Sequence, residues 1–495
     1  MSFKITFIGA GSIGFTRELL ADILAVDEFR NGVEIAFTDI NPDNLRMVTE
    51  LCQRDIDENG IDIRIEATLD RRKALKNAKY VINCVRIGML EAFETDVEIP
   101  LKYGIDQCVG DTLCIGGIMY GQRGIGAVLE FCRDIREVSA PDCLLLNYSN
   151  PNAMLTWACN KYGGVKTLGL CHGVQHGHTL IAKLFGVKKE EVDIICAGIN
   201  HQTWYTSIKV NGVERKDELY GLFMNSEFKD REFVRIDVLK NFGYFSTESN
   251  GHLSEYLMWY RKEPEYMKKW ISPERFGWSQ GETAGYLRVC KESRNWFETD
   301  FPNWMSEPAK VFKESNRSVE HGSYIIEALE TGKCYRGHFN VMNNGCITNL
   351  PYECVVEVPC YVDRNGISVP EIGDLPHGCA AICSQSIWVQ KLAVEAAVNA
   401  DINLLRQAAM MDPLTGAVCT TDEIVDMVDE MLIAGEKWLP MYKEEIERAK
   451  MRLEGKNIKY NEVEGFKLKV KTVDEMAAEK GRYRALAAAA AKENI

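Results

Sequence analysis

One cysteine and three histidines lie within the eleven residues LGLCHGVQHGH (168–178), at the end of an apolar run. Cysteine and histidine side chains bind transition metals and also act as nucleophiles and bases. A structural zinc site is disfavoured, because no second Cys/His pair follows at the usual spacing. A cysteine nucleophile would need a histidine that is close in space, and sequence neighbours rarely are. These residues therefore indicate chemistry without defining it.

A glycine-rich turn near the N-terminus has the form of a dinucleotide-binding loop. Gly9, Gly11, Ser12 and Gly14 follow a short apolar segment and precede a helical pattern, which is the context that this motif requires. Gly9 would permit the tight turn, Gly11 the approach of a pyrophosphate and Gly14 close packing of helix and strand. Asp39 ends the next β-rich segment, where a carboxylate would bind the ribose 2′-hydroxyl and favour NAD over NADP. The alternative is a glycine turn that binds no nucleotide.

The segments around these residues alternate between strand and helix patterns. Short apolar runs separated by helical stretches are typical of buried parallel strands. These runs are residues 80–85, 143–151 and 167–171. Ligands of such sheets bind beyond the carboxyl ends of the strands, so we expect Arg86, Asn150 and Cys171 on the same edge as the glycine loop. Asn83, near the end of the first run, is a further candidate for cofactor binding.

From about residue 192 the patterns change to antiparallel strands and longer helices. Asn200 and His201 lie at a predicted bend between two strands. Residues 251–262 and 386–411 have the patterns of helices. The predicted α/β architecture is an N-terminal Rossmann-type doubly wound parallel sheet (1–195), a C-terminal α+β domain like that of lactate and malate dehydrogenases (196–440) and a charged helical extension (441–495).

The composition argues against nucleic-acid and membrane partners. The net charge is −14 over 495 residues, so there is no basic surface stripe for a phosphate backbone. No stretch approaches the roughly eighteen uninterrupted apolar residues of a membrane-spanning helix. The first residues, MSFKITFIGAG, indicate a strand rather than a signal peptide. We expect a cytoplasmic protein in which most of the seventeen cysteines are buried thiols.

Several separated motifs resemble those of glycoside hydrolase family 4. They are FIGAGS, NYSNPNAM, GLCHGVQ, AGINH and HLSEYLMW. The later segments AAMMDPLTGAV, DEIVDMVDEML and WLP are most similar to the α-galactosidase branch of the family. The resemblance extends from residue 3 to about residue 440. It implies NAD and Mn²⁺ as cofactors, a small α-glycoside as substrate and a homodimer or homotetramer as the assembly.

The resemblance also implies roles for individual residues. Cys171 and His201 would be the protein ligands of Mn²⁺, with sugar hydroxyls and water completing the coordination. Tyr256, in HLSEYLMW, matches the base that removes the C2 proton of the sugar. Because a phenol ordinarily has a pKa of about 10, this base needs a nearby cation. Asn150 matches a ligand of a substrate hydroxyl.

The general acid stays open between two residues. His172 immediately follows the metal cysteine, where some members of the family have their acid, and Asp111 in VGDTLCIGG is the other candidate. The reaction that the resemblance implies is oxidation of C3 by NAD⁺, removal of the C2 proton and elimination of the leaving group. Addition of water and reversal of these steps would then regenerate NAD⁺, unlike the two-carboxylate mechanism of most glycosidases.

The substrate is expected to be an unphosphorylated α-glycoside, first of all an α-galactoside. Phe93 lies where phosphosugar members of the family have an arginine, although Arg86 is close by in the sequence. Gly173 replaces the serine that is usual in the α-galactosidase branch, so α-glucosides and uronic acid glycosides are alternatives. Outside the family, the alternatives are a 2-hydroxy-acid dehydrogenase of the malate or lactate type, which would accumulate NADH, and a non-catalytic NAD-binding sensor, which would lack the base.

Overall fold

Apolar segments and amphipathic stretches alternate along the chain, of which the computed structural model describes residues 2–271, 277–461 and 468–479. Within these residues, thirteen strands form one mixed sheet. Its parallel half comes from the first part of the chain and its antiparallel half from the second part. The glycine loop and the LGLCHGVQHGH segment both lie in the first part.

The parallel half is built from short, nearly continuous apolar segments. Its strands are β1 (Phe3–Ile8), β2 (Val33–Thr38), β3 (Ile65–Thr68), β4 (Ala78–Asn83), β5 (Leu144–Asn147) and β6 (Thr167–Gly169). They pair in the order β3-β2-β1-β4-β5-β6, and every pair is parallel. All six residues of β1 are buried, as expected of a strand covered on both faces. This is the strand order of doubly wound dinucleotide-binding proteins, and it confirms the predicted fold class.

Helices connect the parallel strands, and the last of them leads from β6 to the antiparallel half. They are α1 (Ile13–Leu24), α2 (Pro42–Glu58), α3 (Arg71–Leu75), α4 (Met89–Lys102), α5 (Cys114–Val138), α6 (Asn152–Ala158) and α7 (Gly173–Phe185). α2 shows why its sequence starts a helix: the side chain of Asn41 accepts hydrogen bonds from the amides of Asp43 and Asn44, and proline occupies the first turn.

The antiparallel half continues the same sheet beyond β6. Its strands are β7 (Val192–Ile199), β8 (Gln202–Val210), β9 (Val213–Glu214), β10 (Phe245–Ser246), β11 (Tyr335–Met342), β12 (Val355–Asp363) and β13 (Gly366–Ser368). The order after β6 is β11-β12-β7-β8-β10. β7 and β8 form an antiparallel pair joined at Asn200 and His201, as predicted, and His201 has φ +64° in this turn.

The remaining helices come from the second part of the chain, and several of them pack against helices of the first part. They are α8 (Leu219–Met224), α9 (Phe233–Phe242), α10 (Asn250–Tyr256), α11 (Pro264–Met267), α12 (Gly285–Ser306), α13 (His321–Thr331), α14 (His377–Asn399), α15 (Ile402–Met411), α16 (Pro413–Val418), α17 (Thr421–Ala434) and α18 (Lys443–Leu453). None of the helices in the described chain combines the length and the apolar character needed to cross a membrane.

Two helix predictions need correction. The helix predicted over 386–411 begins earlier and is two helices, because Ala400 has the left-handed φ of +52° and Asp401 caps α15. The helical pattern over 251–262 ends at Tyr256, where Leu257 is extended.

The chain after residue 440 begins with a packed helix. Ile446 and Ala449 of α18 are buried, and Arg452 forms an ion pair with Asp429 of α17. Residues 462–467 and 480–495 of the predicted extension lie outside the described residues.

Candidate active site

The glycine loop leads from β1 to α1 at the carboxyl edge of the parallel strands. Gly9 has φ +82°, and a Cβ at this position would lie 2.9 Å from Cγ1 of Val85. Gly9 is therefore needed both for its backbone conformation and for the close approach of the chain after β4. A Cβ at Gly14 would meet no atom within 4 Å. Tight helix packing is thus not the reason for this glycine, and the open space beside the start of α1 suits a phosphate group.

Asp39 follows β2 and reaches back to the glycine loop. Its Oδ2 accepts a hydrogen bond of 2.8 Å from the amide of Gly11, and its Oδ1 accepts one of 2.8 Å from the amide of Asn41. A Cβ at Gly11 would lie 2.8 Å from Asp39 Oδ2, so the loop needs glycine here. Ser12 precedes α1, and its side chain makes no capping hydrogen bond.

A row of four polar residues and two glycines crosses the sheet next to the carboxyl edge of its parallel half. Register neighbours in this row are Asn83, Asn147, Gly169, Asn340, Glu357 and Gly198. Asn83 is buried, and its Nδ2 donates to Asn147 Oδ1 over 2.8 Å. Burial raises the pKa of Glu357 to about 8, so this carboxyl group is largely protonated at neutral pH. The assignment of Asn83 to cofactor binding stays a prediction.

Three side chains with metal-binding atoms meet beyond this row. Cys171 follows β6, His201 lies in the β7–β8 turn, and Glu248 follows β10. The ligand atoms of all three lie within 4.8 Å of one another. Glu248 Oε1 lies 3.7 Å from Cys171 Sγ and 3.8 Å from His201 Nε2. The structure thus brings the two predicted metal ligands together and adds a carboxylate.

Burial and neighbouring charges shift the pKa values of Cys171 and Glu248 in this cluster. Burial raises the pKa of the Cys171 thiol well above its usual value, and the Glu248 carboxylate raises it further. The amide of Gly173 donates to Cys171 Sγ over 3.4 Å at the start of α7, which favours the thiolate that a metal requires. Burial also raises the pKa of Glu248, but the nearby His201, His252, His172 and Arg235 together outweigh this effect and bring that pKa to about 2.

Tyr256 ends α10 with its hydroxyl oxygen 3.2 Å from His201 Nδ1. Burial raises the pKa of this phenol well above its usual value, and the neighbouring Glu255 carboxylate raises it further. Ionisation of Tyr256 therefore needs a cation nearby. The opposite nitrogen of the same imidazole, Nε2 of His201, faces the Cys171 and Glu248 cluster.

His172 contacts a carboxylate that the sequence analysis does not single out. Its Nδ1 lies 3.2 Å from Oε1 of Glu320, and 42% of its side chain is exposed. Burial lowers the pKa of His172, but the bond to Glu320 outweighs this effect and the pKa is raised. His176 lies against His172 with ring centroids 4.6 Å apart, and His178 Nε2 lies 2.7 Å from the Val192 carbonyl oxygen.

Asp111 is engaged by three donors. Its Oδ2 accepts a hydrogen bond of 2.9 Å from Arg86, and its Oδ1 accepts bonds from Thr112 (2.9 Å) and Asn150 (3.1 Å). The Arg86 guanidinium also lies 4.5 Å from the ring centroid of Phe93. Arg86 and Asn150 therefore lie at the same edge of the sheet, as expected, and both donate hydrogen bonds to Asp111.

Four glutamates near the site have no role predicted from the sequence. They are Glu248, Glu255, Glu320 and Glu357. Glu255 Oε2 accepts hydrogen bonds from the amides of Cys108 (2.7 Å) and Val109 (3.0 Å), which holds the loop before Asp111. Glu255 lies within the HLSEYLMW motif and Glu248 shortly before it, and this position is the sequence signal that points to them. Glu320 has no such signal.

Two sequence models match this chain. The model of the family 4 glycosyl hydrolases matches residues 4–187, and that of the family 4 glycosyl hydrolase C-terminal domain matches residues 196–415. An α-galactosidase from Rhizobium meliloti (strain 1021) is 52% identical over 482 residues, which are 97% of this chain and 98% of that protein. The chain belongs to glycosyl hydrolase family 4. The resemblance drawn from the sequence motifs is confirmed.

Other family 4 relatives extend this comparison. An α-galactosidase from Bacillus subtilis (strain 168) is 36% identical over 446 residues, covering 89% of this chain and all of that protein. The solved 6-phospho-β-glucosidase from Thermotoga maritima, a structure with manganese, NAD⁺ and glucose-6-phosphate, has a TM-score of 0.72 at 24% identity. That match covers 88% of this family 4 chain and 99% of the other, and it shows that the two share a fold.

Proposed function

We propose that this family 4 chain is an α-galactosidase that uses NAD and Mn²⁺. The main observation is the meeting of Cys171, His201 and Tyr256. Ligand atoms of the first two lie within 4.8 Å of each other, and the Tyr256 hydroxyl lies 3.2 Å from His201 Nδ1. The α-galactosidase that is 52% identical over 97% of this chain supports the substrate class.

The donor atoms at the site fit a divalent transition metal. A cysteine sulfur, an imidazole nitrogen and a carboxylate oxygen converge there, and such mixed sets bind transition metals. Cys171 and His201 would hold Mn²⁺, which when bound supplies Lewis-acid polarisation of the sugar oxygens.

The glycine loop fits a dinucleotide. The space beside Gly14 is open at the start of α1, and Asp39 is held at the end of β2 by the amides of Gly11 and Asn41. A pyrophosphate would bind at the helix N-terminus and a ribose hydroxyl at Asp39. NAD⁺ supplies the hydride acceptor for C3 of the sugar.

Tyr256 and His172 would move the protons. Tyr256 would take the C2 proton, because its oxygen is next to the proposed metal ligand His201. His172 would protonate the leaving oxygen, since it is half exposed and its bond to Glu320 raises its pKa. Asp111 is the weaker acid candidate, because protonation would break its ion pair with Arg86.

Asn150 and Arg86 would shape the sugar site. Asn150 donates to Asp111 through Nδ2, which leaves its Oδ1 as the group for a sugar hydroxyl. Arg86 is paired with Asp111 and covered by the rings of Phe93, Tyr120 and Tyr286. Its charge is already compensated, which supports an unphosphorylated substrate.

Hydrolysis of p-nitrophenyl α-galactoside with NAD⁺ and Mn²⁺ tests the proposal. We expect turnover that stops when EDTA removes the metal, with no accumulation of NADH. The matching α-glucoside, α-galacturonide and 6-phosphogalactoside serve as competing substrates. Preferred turnover of any of these would reject the α-galactosidase assignment, and net NADH formation from 2-hydroxy acids would indicate a dehydrogenase.

Location, assembly and domain boundaries are further parts of the proposal. We propose a cytoplasmic homodimer or homotetramer with a domain boundary near residue 195 and an extension from residue 441. All seventeen cysteines are free thiols, which supports a reducing compartment. Cell fractionation, light scattering and limited proteolysis would test these statements in turn.

A further inference from the structure

Glu248 adds a third donor atom to a site that the sequence predicts with two protein ligands. Its Oε1 lies 3.7 Å from Cys171 Sγ and 3.8 Å from His201 Nε2. We infer that Glu248 is a third protein ligand of the Mn²⁺ ion. The inference rests on the proposed function, because it assumes that the ion binds at Cys171 and His201.

The buried carboxylate of Glu248 would be stabilised by a cation bound beside it. Its side chain is only 11% exposed, and its ion-pair partners within the described chain are the imidazoles of His201 and His252. A buried carboxylate is costly without a full counter-charge, and a metal-binding imidazole is neutral. A divalent ion held by Glu248 and Cys171 would provide that counter-charge. Carboxylate oxygens are also ligands that Mn²⁺ prefers.

Gly173 leaves the space that Glu248 occupies. A Cβ at residue 173 would lie 1.9 Å from Glu248 Oε1 and 3.7 Å from Cys171 Sγ. Even alanine would therefore displace the carboxylate. On the other side, Glu248 Oε2 lies 3.9 Å from His252 Nδ1, which is 2.9 Å from Ser249 Oγ. Such outer contacts orient metal ligands.

Mn²⁺ binding to the NAD⁺-loaded full chain, without sugar, tests the inference. Free Mn²⁺ is measured by its electron paramagnetic resonance signal. Glu248→Gln should lower Mn²⁺ affinity by at least about 100-fold, which is more than the loss expected on substituting a residue that contacts only the metal ligands. Gly173→Ala should lower it by at least about 10-fold, and the double variant should bind no more weakly than Glu248→Gln. The matched control is Glu327→Gln, whose equally buried carboxylate pairs with Arg317 and Lys333.

The variants separate this inference from the proposed function. Cys171→Ser should lose Mn²⁺ binding, and retained binding would reject the proposed metal site itself. Loss of binding in Cys171→Ser together with unchanged affinity in Glu248→Gln would overturn the third ligand alone. NAD⁺ affinity, measured on each variant, verifies folding. If Glu248→Gln fails to fold, Gly173→Ala decides: unchanged Mn²⁺ affinity in that variant also overturns the inference.

Discussion

Tyr256 is the residue whose chemistry depends most on its surroundings. Its phenol is buried beside Glu255, and both conditions raise its pKa well above the usual value. Its hydroxyl nevertheless lies 3.2 Å from the imidazole of His201, a proposed metal ligand. Base catalysis by this phenol is therefore expected to depend on the bound cation.

Tyr256→Phe should abolish proton removal at C2. The ring packing is kept while the basic oxygen is lost, so kcat should fall by about 10²–10⁴-fold. Turnover of an α-galactoside in D₂O should place deuterium at C2 of the released sugar in the natural chain, and residual turnover by the variant should not. Tyr260→Phe is the control, since that hydroxyl bonds to Asp237 over 2.9 Å. Full hydrolysis by Tyr256→Phe would show that another group is the base.

Asp39 is the second residue with a separable role. Its two oxygens already accept bonds from backbone amides, and these bonds aim the carboxylate at the edge of the glycine loop. Asp39→Ala should weaken NAD⁺ binding by about 1–3 kcal/mol, the cost of an unpaired ribose hydroxyl. Calorimetric titration with NAD⁺ measures this loss. An unchanged NAD⁺ affinity would remove Asp39 from the cofactor site.

At the scale of elements, the glycine loop and the start of α1 differ from the usual packing of this motif. A side chain at Gly9 or Gly11 would collide with the chain or with Asp39, whereas one at Gly14 would enter open space. The turn thus needs its first two glycines for folding. The third glycine borders open space at the start of α1, where we propose that the pyrophosphate binds.

Gly14→Ala should separate stability from cofactor binding. Within α1, alanine should raise the free energy of unfolding of the cofactor-free chain by about 0.5–1 kcal/mol relative to glycine. NAD⁺ affinity should fall, because the methyl group enters the proposed pyrophosphate space. Gly11→Ala should lower both quantities. Denaturant titration and NAD⁺ titration measure the two effects, and undiminished NAD⁺ affinity in Gly14→Ala would place the dinucleotide elsewhere.

At the scale of the whole molecule, one sheet joins the parallel half to the antiparallel half. β6 of the parallel half pairs with β11 of the antiparallel half, so Cys171 and His201 are held by the same sheet. The helix α18, after residue 440, is joined to the rest of the molecule by an ion pair with Asp429 of α17. That carboxylate is buried and accepts hydrogen bonds from Arg406 of α15 (2.8 Å) and Arg452 of α18 (2.7 Å).

Asp429→Asn should destabilise the whole chain. The substitution removes a buried charge and leaves Arg406 and Arg452 with Glu445 as their remaining carboxylate partner, which should cost about 1–3 kcal/mol. The midpoint of thermal unfolding should fall, while Mn²⁺ and NAD⁺ affinities of the folded chain stay the same. Glu444→Gln is the control, because its pair with Arg448 is exposed at the surface. A midpoint unchanged in Asp429→Asn would show that α18 is not held by this network.

Local patterns determined much of this molecule. The alternation of apolar runs and helical stretches predicts the parallel strands, because a buried strand must be apolar along its whole length. The glycine loop and the Asn200–His201 bend are also predictable from local sequence, because the backbone conformation at a turn depends on a few adjacent residues. Both predicted metal ligands follow strands whose positions those patterns define.

Only the tertiary structure decided the rest of the site. Glu248 lies 77 residues from Cys171 along the chain and meets it only because β10 joins the far end of the sheet. Asn340 and Glu357 interrupt apolar strands, and their place in the polar row depends on pairing between strands distant in sequence. A carboxylate becomes a metal ligand or an ion-pair partner according to which side chains surround it. That surrounding is set by long-range packing, which no local pattern encodes.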